Sequence, residues 1–144
     1  MTSETSPLPR SFVLIKPDAV RRGLAGAVLA RYEAKGLRIV ALEQRLVDGE
    51  LADQHYAEHV ERDFYPPLRT FITSGPSIAV VLEGDEVIET VRLLNGATDG
   101  RKAAPGTIRG DYSLSNRENL VHGSDSPESA AREIALWFPE LPTA

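Results

Sequence analysis

The chain contains no cysteine. That absence removes disulfides, thiolate nucleophiles and thiolate zinc sites together, and it suits a reducing compartment. No apolar run approaches the ~20 residues that a membrane span requires. The first ten residues, Met1 to Arg10, are polar and proline-bearing with no apolar core, so they are expected to form a loose terminus rather than a signal peptide. A cytoplasmic protein is therefore expected. There is no glycine-rich Walker loop, no G-x-G-x-x-G turn and no glutamate-bearing zinc-protease pattern. Internal repeats and low-complexity tracts are missing too. Positive charge is also in deficit: 16 Lys and Arg against 21 Asp and Glu leave a formal net charge of -5. This argues against nucleic-acid binding by bulk electrostatics, while leaving room for a local basic pocket that takes a small anion.

What remains is the make-up of one globular domain, with 144 residues, 42% of them hydrophobic and 26% charged. Ser11 to Lys16 is a β-type run ended by Pro17, and Pro17-Asp18 is expected to begin a loop holding Arg21, Arg22 and Gly23. Leu24, Ala27, Val28 and Tyr32 recur at helical spacing, and Gly36 stands where a left-handed cap belongs. Leu37 to Val47 suits a long strand, broken at Asp48-Gly49. Glu50 to Thr73 is helical in pattern but interrupted at Pro66-Pro67, which predicts two short helices joined near Arg62-Asp63-Phe64-Tyr65. An insertion of this kind suits a lid.

Ser77 to Leu82 predicts a third strand, and Asp85 a cap for the helix carrying Val87, Ile88, Val91 and Leu94. Ala97 to Ser115 has no lasting periodicity and is expected to be a functional loop. Arg117 to His122 gives a last strand. Ser126 then caps a helix with Pro127 in its first turn and a buried stripe of Ala130, Ile134, Trp137 and Phe138. The order β-α-β, an α insertion, then β-α-β-α favours an α+β ferredoxin-like sandwich. Its four-stranded antiparallel sheet is expected to be covered by helices on one face and to carry an inserted helical lid. Residues 1–10 are expected to be a flexible segment, 11–140 the domain and 141–144 a short tail.

His122 is the main candidate for chemistry. An apolar run delivers it into the Gly123-Ser124-Asp125-Ser126 turn, which would hold an imidazole at a strand end facing open space. A histidine nucleophile needs a neutral ring and a hydrogen bond that fixes its tautomer. Glu133, on the helix that begins just after His122, is either that orienting group or a solvent-exposed glutamate. Without the arginines, a strand-end histidine satisfied by its turn outweighs catalysis as the reading of His122. Arg62, Arg92 and Arg109 shift the balance if they converge, because guanidinium groups match phosphate oxygens in charge and shape. Otherwise they are three unrelated surface arginines. Thr98 is a hydroxyl donor to phosphate or a turn residue, and Lys16 a cavity group or an edge lysine. His55 and His59 share a helix face but lack a third metal ligand. Tyr56 and Phe64 are a stacking surface or core residues.

Several strings carry a family resemblance. Lys16-Pro17-Asp18, His55-Tyr56, Ser74-Gly75-Pro76, Pro105-Gly106-Thr107-Ile108-Arg109-Gly110-Asp111 and Asn119 through Ser126 stand in an order similar to nucleoside diphosphate kinases. The likeness runs from Phe12 to Phe138, so the 11–140 domain is the unit it covers. It implies a ping-pong enzyme that moves the terminal phosphate of a nucleoside triphosphate to a nucleoside diphosphate through a phosphohistidine at His122. It further implies that Glu133 and Ser124 support that ring with Tyr56 beside it, and that Arg62, Arg92, Thr98, Arg109 and His59 meet the phosphates. Lys16 and Asn119 would bind sugar hydroxyls, and Phe64 would stack on the base. Mg2+ would be carried with the nucleotide, with no metal held by the protein itself. A homohexamer is the expected assembly, with a homotetramer second. Apart from the resemblance, three other readings stay open: a nucleotide-sensing module without turnover, a single-stranded nucleic-acid binder, and a histidine phosphocarrier without nucleotide contacts.

Overall fold

Alternation in the first strand decides the architecture. In a computed structural model that describes residues 8–142, β1 spans Arg10–Ile15 and is buried on both sides. Phe12 and Leu14 point to one face of the sheet, while Val13 and Ile15 point to the other, as the two-residue strand period requires. β1 therefore sits inside the sheet. It pairs antiparallel with β3 (Pro76–Glu83) and with β4 (Val121–Gly123), and β3 pairs antiparallel with β2 (Arg38–Leu46). The strand order is β2-β3-β1-β4. This is the expected four-stranded antiparallel ferredoxin-like sheet.

The helices differ from expectation in one respect: they cover both faces. Val13 and Ile15 pack with Val28 and Tyr32 of α2 (Ala25–Lys35) and with Val87 and Val91 of α5 (Val87–Asn95). On the opposite face, Phe12 and Leu14 pack with Ala52 of α3 (Gly49–His55), Tyr65 and Ile72 of α4 (Tyr65–Ile72), and Trp137 of α7 (Pro127–Trp137). A strand apolar on both sides needs both covers, since either face left to water would forfeit the burial of its side chains.

Local chemistry explains the element boundaries. Gly36 closes α2 at φ 106, in the left-handed region that costs glycine least. Asp48 caps α3 by accepting the Leu51 N–H at 2.8 Å, so the Asp48-Gly49 strand break is also a helix start. Pro66 and Pro67 do not interrupt a helix but stand in the first turn of α4, where their missing N–H groups have no intrahelical partner to lose. Between α3 and α4, a single 3-10 turn spans Ala57–His59. Ser126 caps α7 through the Ser129 N–H, as expected.

Four expectations are corrected. Pro17-Asp18 opens a short helix, α1 (Pro17–Arg21), rather than a loop, because proline is preset for a first helical turn. Asp85 is not the α5 cap: Glu86 holds that position at φ 50, with no side-chain cap bond. The Ala97 to Ser115 segment contains a helix, α6 (Ile108–Tyr112), capped by Thr107 through the Gly110 N–H. The last strand shrinks to Val121–Gly123 because Leu120 turns the chain at φ 76.

The ends are tied to the domain as far as they are described. The Pro9 carbonyl accepts the Gly84 N–H at 3.1 Å, and Arg10 Nη1 donates to the Pro142 carbonyl at 2.8 Å. The expectations for 1–7 and for 143–144 fall outside the described residues.

Candidate active site

The turn before β4 sets up the site. The Val121 N–H donates to the Asn119 carbonyl at 2.8 Å, and Leu120 between them has φ 76. Together these make a γ-turn with a positive central φ, a strained conformation for a residue with a Cβ. Contacts on every side hold it. The Leu120 side chain is fully buried in the core, its N–H donates to Asp18 Oδ2 at 3.1 Å, and its carbonyl accepts the Lys16 N–H at 2.8 Å. Burial raises the Asp18 pKa above the usual carboxylate range, with Lys16 opposing that shift.

This turn aims two side chains into a common space. Asn119, buried, accepts from Lys16 Nζ at 2.9 Å and donates through Nδ2 to the Thr98 and Asn116 carbonyls at 3.0 and 2.9 Å. Burial, then the nearby Arg109 charge, lowers the Lys16 ammonium pKa to about 8, with Asp18 opposing. His122 follows on β4. Its Nε2 lies 3.1 Å from Glu133 Oε2 on α7. The carboxylate is buried, and Ser124 Oγ donates to its other oxygen at 2.7 Å. A carboxylate facing Nε2 holds the proton there, which leaves the Nδ1 lone pair free. The ring borders a cavity of about 780 Å³, in the size range of small-molecule sites.

The cavity gathers most of the expected residues: Lys16, Tyr56, His59, Phe64, Arg92, Thr98, Arg109, Asn119, His122 and Glu133 all line it. Ser124 stands behind it, buried against Glu133 and the Phe12 backbone. Arg62 does not line it; this exposed residue lies just past the 3-10 turn, where its N–H bonds the His59 carbonyl at 2.9 Å. Phe64 is 49% exposed, with its ring 5.4 Å from that of His59. Tyr56 is buried, and desolvation pushes its phenol pKa upward, so it stays protonated.

Arg109 does more than the sequence suggests. Its guanidinium donates to the carbonyls of Asn119, Gly96 and Val121, at 3.2, 2.8 and 2.6 Å. It thereby stitches α6 to the end of α5 and to the His122 strand. Gly96 is fixed in turn at φ 86, where an added Cβ would lie 2.4 Å from Thr107 Oγ1.

Three more cations, Arg101, Arg117 and Arg132, also line the cavity. None lies in a recognised string, and only the fold brings them there. Arg101 is paired with Asp99 at 2.7 Å, while Arg132 lies 3.8 Å from Glu133 and donates to the Gln54 and His55 carbonyls at 3.3 and 3.4 Å.

His55 is the main residue that sequence reasoning set aside. It does not act as a pair with His59. Its buried ring packs edge-on to His122, with centroids 4.8 Å apart at 80°, while His59 leans toward Tyr56 and Phe64. Ligand atoms of His55, His122 and Glu133 come within 4.8 Å of one another, the spacing of a metal cluster. The indole of Trp137 opposes that use, because Nε1–H donates to His55 Nδ1 at 3.1 Å and leaves the ring proton on Nε2. A protonated nitrogen cannot ligate. A hard cation would also find few oxygens here, since the exposed carboxylates at the cavity are those of Glu58 and Asp125.

Comparison with known proteins identifies the family. The family model for nucleoside diphosphate kinase matches residues 9–142. A nucleoside diphosphate kinase of Nocardioides is 75% identical over 132 residues, covering 92% of this chain and 98% of that one. One from Nocardia farcinica is 61% identical over 94% of this chain and 98% of its own. Among solved structures, a halophilic nucleoside diphosphate kinase from Halobacterium salinarum, in complex with CDP, superposes with a TM-score of 0.90 at 50% identity. That match covers 92% of this chain and 89% of the other. A nucleoside diphosphate kinase family protein from Babesia bovis gives a TM-score of 0.89 at 42% identity, over 95% and 94% of the two chains. With the family model spanning nearly the whole domain and identities this high, the chain belongs to the nucleoside diphosphate kinase family.

Proposed function

We propose that this protein transfers the terminal phosphoryl group of a nucleoside triphosphate to a nucleoside diphosphate by a ping-pong route, with His122 Nδ1 as the relay atom. One observation carries the reading: the His122 ring has Nε2 committed to a buried carboxylate and its other nitrogen without a hydrogen bond among the described residues, beside a cavity lined by Lys16, Arg92 and Arg109. In the first half-reaction the Nδ1 lone pair attacks the γ-phosphorus. The bond from phosphorus to the bridging oxygen breaks, and the diphosphate leaves with that electron pair. In the second, a terminal oxygen of another nucleoside diphosphate attacks the same phosphorus and the pair returns to Nδ1. No net proton is consumed.

The surroundings suit each step. Phosphoryl transfer depends mainly on in-line placement and on fixed charge around the moving oxygens. Arg92, Arg109, Thr98, His59 and, from the lid, Arg62 are assigned to the phosphates. Mg2+ enters as part of the nucleotide substrate and neutralises phosphate charge. Glu133 offsets the positive charge that develops on the imidazole, and Ser124 fixes Glu133. Tyr56 stays neutral beside the His55 ring, at 4.7 Å. Lys16 and Asn119, already joined to each other, are assigned to the ribose hydroxyls. Phe64, half exposed at the mouth, gives a face on which any base can stack, so broad nucleotide use follows.

The reading extends to assembly. A homohexamer, with a homotetramer as the alternative, would cover the exposed Leu42 and Leu46 on edge strand β2 and the exposed Leu114. Sedimentation would tell the two apart. No helix among the described residues is long and apolar enough to cross a membrane.

The deciding experiment is labelling with γ-phosphate-labelled ATP and magnesium, followed by site mapping. The label is expected on His122, in an acid-labile and base-stable bond, and GDP is expected to remove it. Exchange that survives His122→Ala would exclude the assigned nucleophile.

A further inference from the structure

We infer that His55 is a positioning residue: a neutral imidazole, anchored by the Trp137 indole, that packs against the His122 ring and keeps its attacking nitrogen in line. The inference rests on the reading of His122 as the nucleophile.

The argument begins with contacts. His55 ends α3, and its ring touches four others: Tyr56 at 4.7 Å, His122 at 4.8 Å, Trp137 at 5.5 Å and Phe12 at 5.8 Å. Against His122 it stands at 80°. An imidazole bonded at Nε2 can still pivot about that bond, and Glu133 alone does not prevent the swing. A rigid ring packed against it does.

The second part is protonation. An indole N–H only donates, so His55 Nδ1 must accept, and the ring proton stays on Nε2. That nitrogen is buried with no hydrogen-bond partner among the described residues. Adding a second proton at Nδ1 would set two donors face to face. Most of the groups around the ring oppose a charge there as well. His122 on β4 when it is charged, Lys16 after β1, His59 beyond α3 and Arg132 on α7 do so, whereas the Glu133 carboxylate favours a charge and the neutral Tyr56 phenol does neither. Burial, followed by these cations, holds the His55 pKa well below the ordinary histidine range. A cation at His55 would repel the positive charge that His122 acquires as it takes the phosphoryl group. Neutrality at His55 thus serves the transfer.

Trp137→Phe tests this, because it keeps an aromatic ring while removing the N–H donor. The wild-type label should map to His122; if it does not, the nucleophile reading has failed and not this one. In Trp137→Phe the label should still reach His122. The single-turnover rate at saturating ATP should fall about ten- to a hundredfold, as small misplacements of a reacting group do. The KM for ATP should change little. The pH profile of that rate should gain a steeper acid limb, because the donor that opposed a second proton at Nδ1 is gone even though burial remains. The double variant His55→Asn/Trp137→Phe should stay slow but lose the added limb. Profiles that run parallel in wild type and Trp137→Phe would overturn the proposal, as would an added limb that persists in the double variant. If Trp137→Phe fails to fold, long-range nitrogen NMR on the wild type decides: a proton on Nε2 of His55 and a neutral ring from about pH 6 to 8 support the proposal, and a charged or Nδ1-protonated ring overturns it.

Discussion

Ser124 Oγ donates to Glu133 Oε1 at 2.7 Å while accepting the Phe12 N–H at 3.0 Å, so the carboxylate behind His122 is anchored to the central strand. Replacing Glu133 by Gln removes the charge that balances the imidazole. The phosphorylation rate is expected to fall roughly a hundredfold, within the range of losing one preorganised electrostatic group. Ser124→Ala leaves the charge but loosens it, and about a tenfold loss is expected. In both cases the KM for ATP should hold steady. Rapid-quench phosphorylation provides the check, and a change confined to KM would refute the arrangement.

Arg109 combines two tasks, and its variants should separate them. Arg109→Ala removes the donors to three carbonyls as well as a pocket charge. Its transfer rate should drop roughly ten- to a thousandfold, and its melting temperature should fall too, since unpaired buried carbonyls cost about 1–3 kcal/mol each. Arg109→Lys restores charge without the planar fork, so it should recover part of the rate and little of the stability. Calorimetry beside steady-state kinetics would show whether the two losses separate.

Lys16 makes a prediction about pH. Its pKa in the fold is about 8, against 10.5 for an ordinary lysine. Between those values the unfolded chain holds the extra proton, so stability should rise with pH across that window. The charged form prevails below it and carries the burial penalty. Denaturant titrations of the nucleotide-free protein near both ends of the window should show this rise, and Lys16→Gln should lack it. The KM for ATP should increase as wild-type protein is taken above about pH 8. Identical pH dependence in wild type and variant would rule the assignment out.

Asp18 holds the N–H of a strained residue, Leu120, from a buried position. Asp18→Ala is expected to cost about 1–3 kcal/mol by orphaning that donor. It should also slow phosphorylation, because the released turn carries Asn119 and His122. Loss of stability with an unchanged rate would mean that the turn does not set the site.

Phe64→Ala should raise the KM for nucleotides with little effect on the rate at saturation. If phosphorylation instead stops under saturating ATP, stacking is the wrong role for this ring.

Much of the fold was legible because period and punctuation agree. Alternating apolar residues, Gly36, Pro127 and Ser126 mark their elements with local chemistry that tertiary contacts did not override. Some errors were local, at Pro17, Asp85 and Thr107, and others fall where distant partners decide. Leu120 bends the last strand only because Asp18 and the Lys16 backbone hold it, more than a hundred residues away. Covering both faces of β1 follows from its unbroken apolar run, which the alternation rule alone does not weigh. The recognised strings foretold much of the chemistry at the cavity but less than half of its lining residues. Arg101, Arg117 and Arg132 stand outside them, and Arg109 gave no sign of its grip on backbone carbonyls. His55 was visible as half of a metal pair, but its indole partner lies 82 positions away.

The triple grip of Arg109 ties anion affinity to loop architecture. A substitution meant to retune charge in the pocket at this position also unfastens the segment that forms its wall. Adjusting the preference for one nucleotide over another is therefore easier at the rim, around Phe64 and Asn116, where side chains answer to solvent and can change without disturbing the frame.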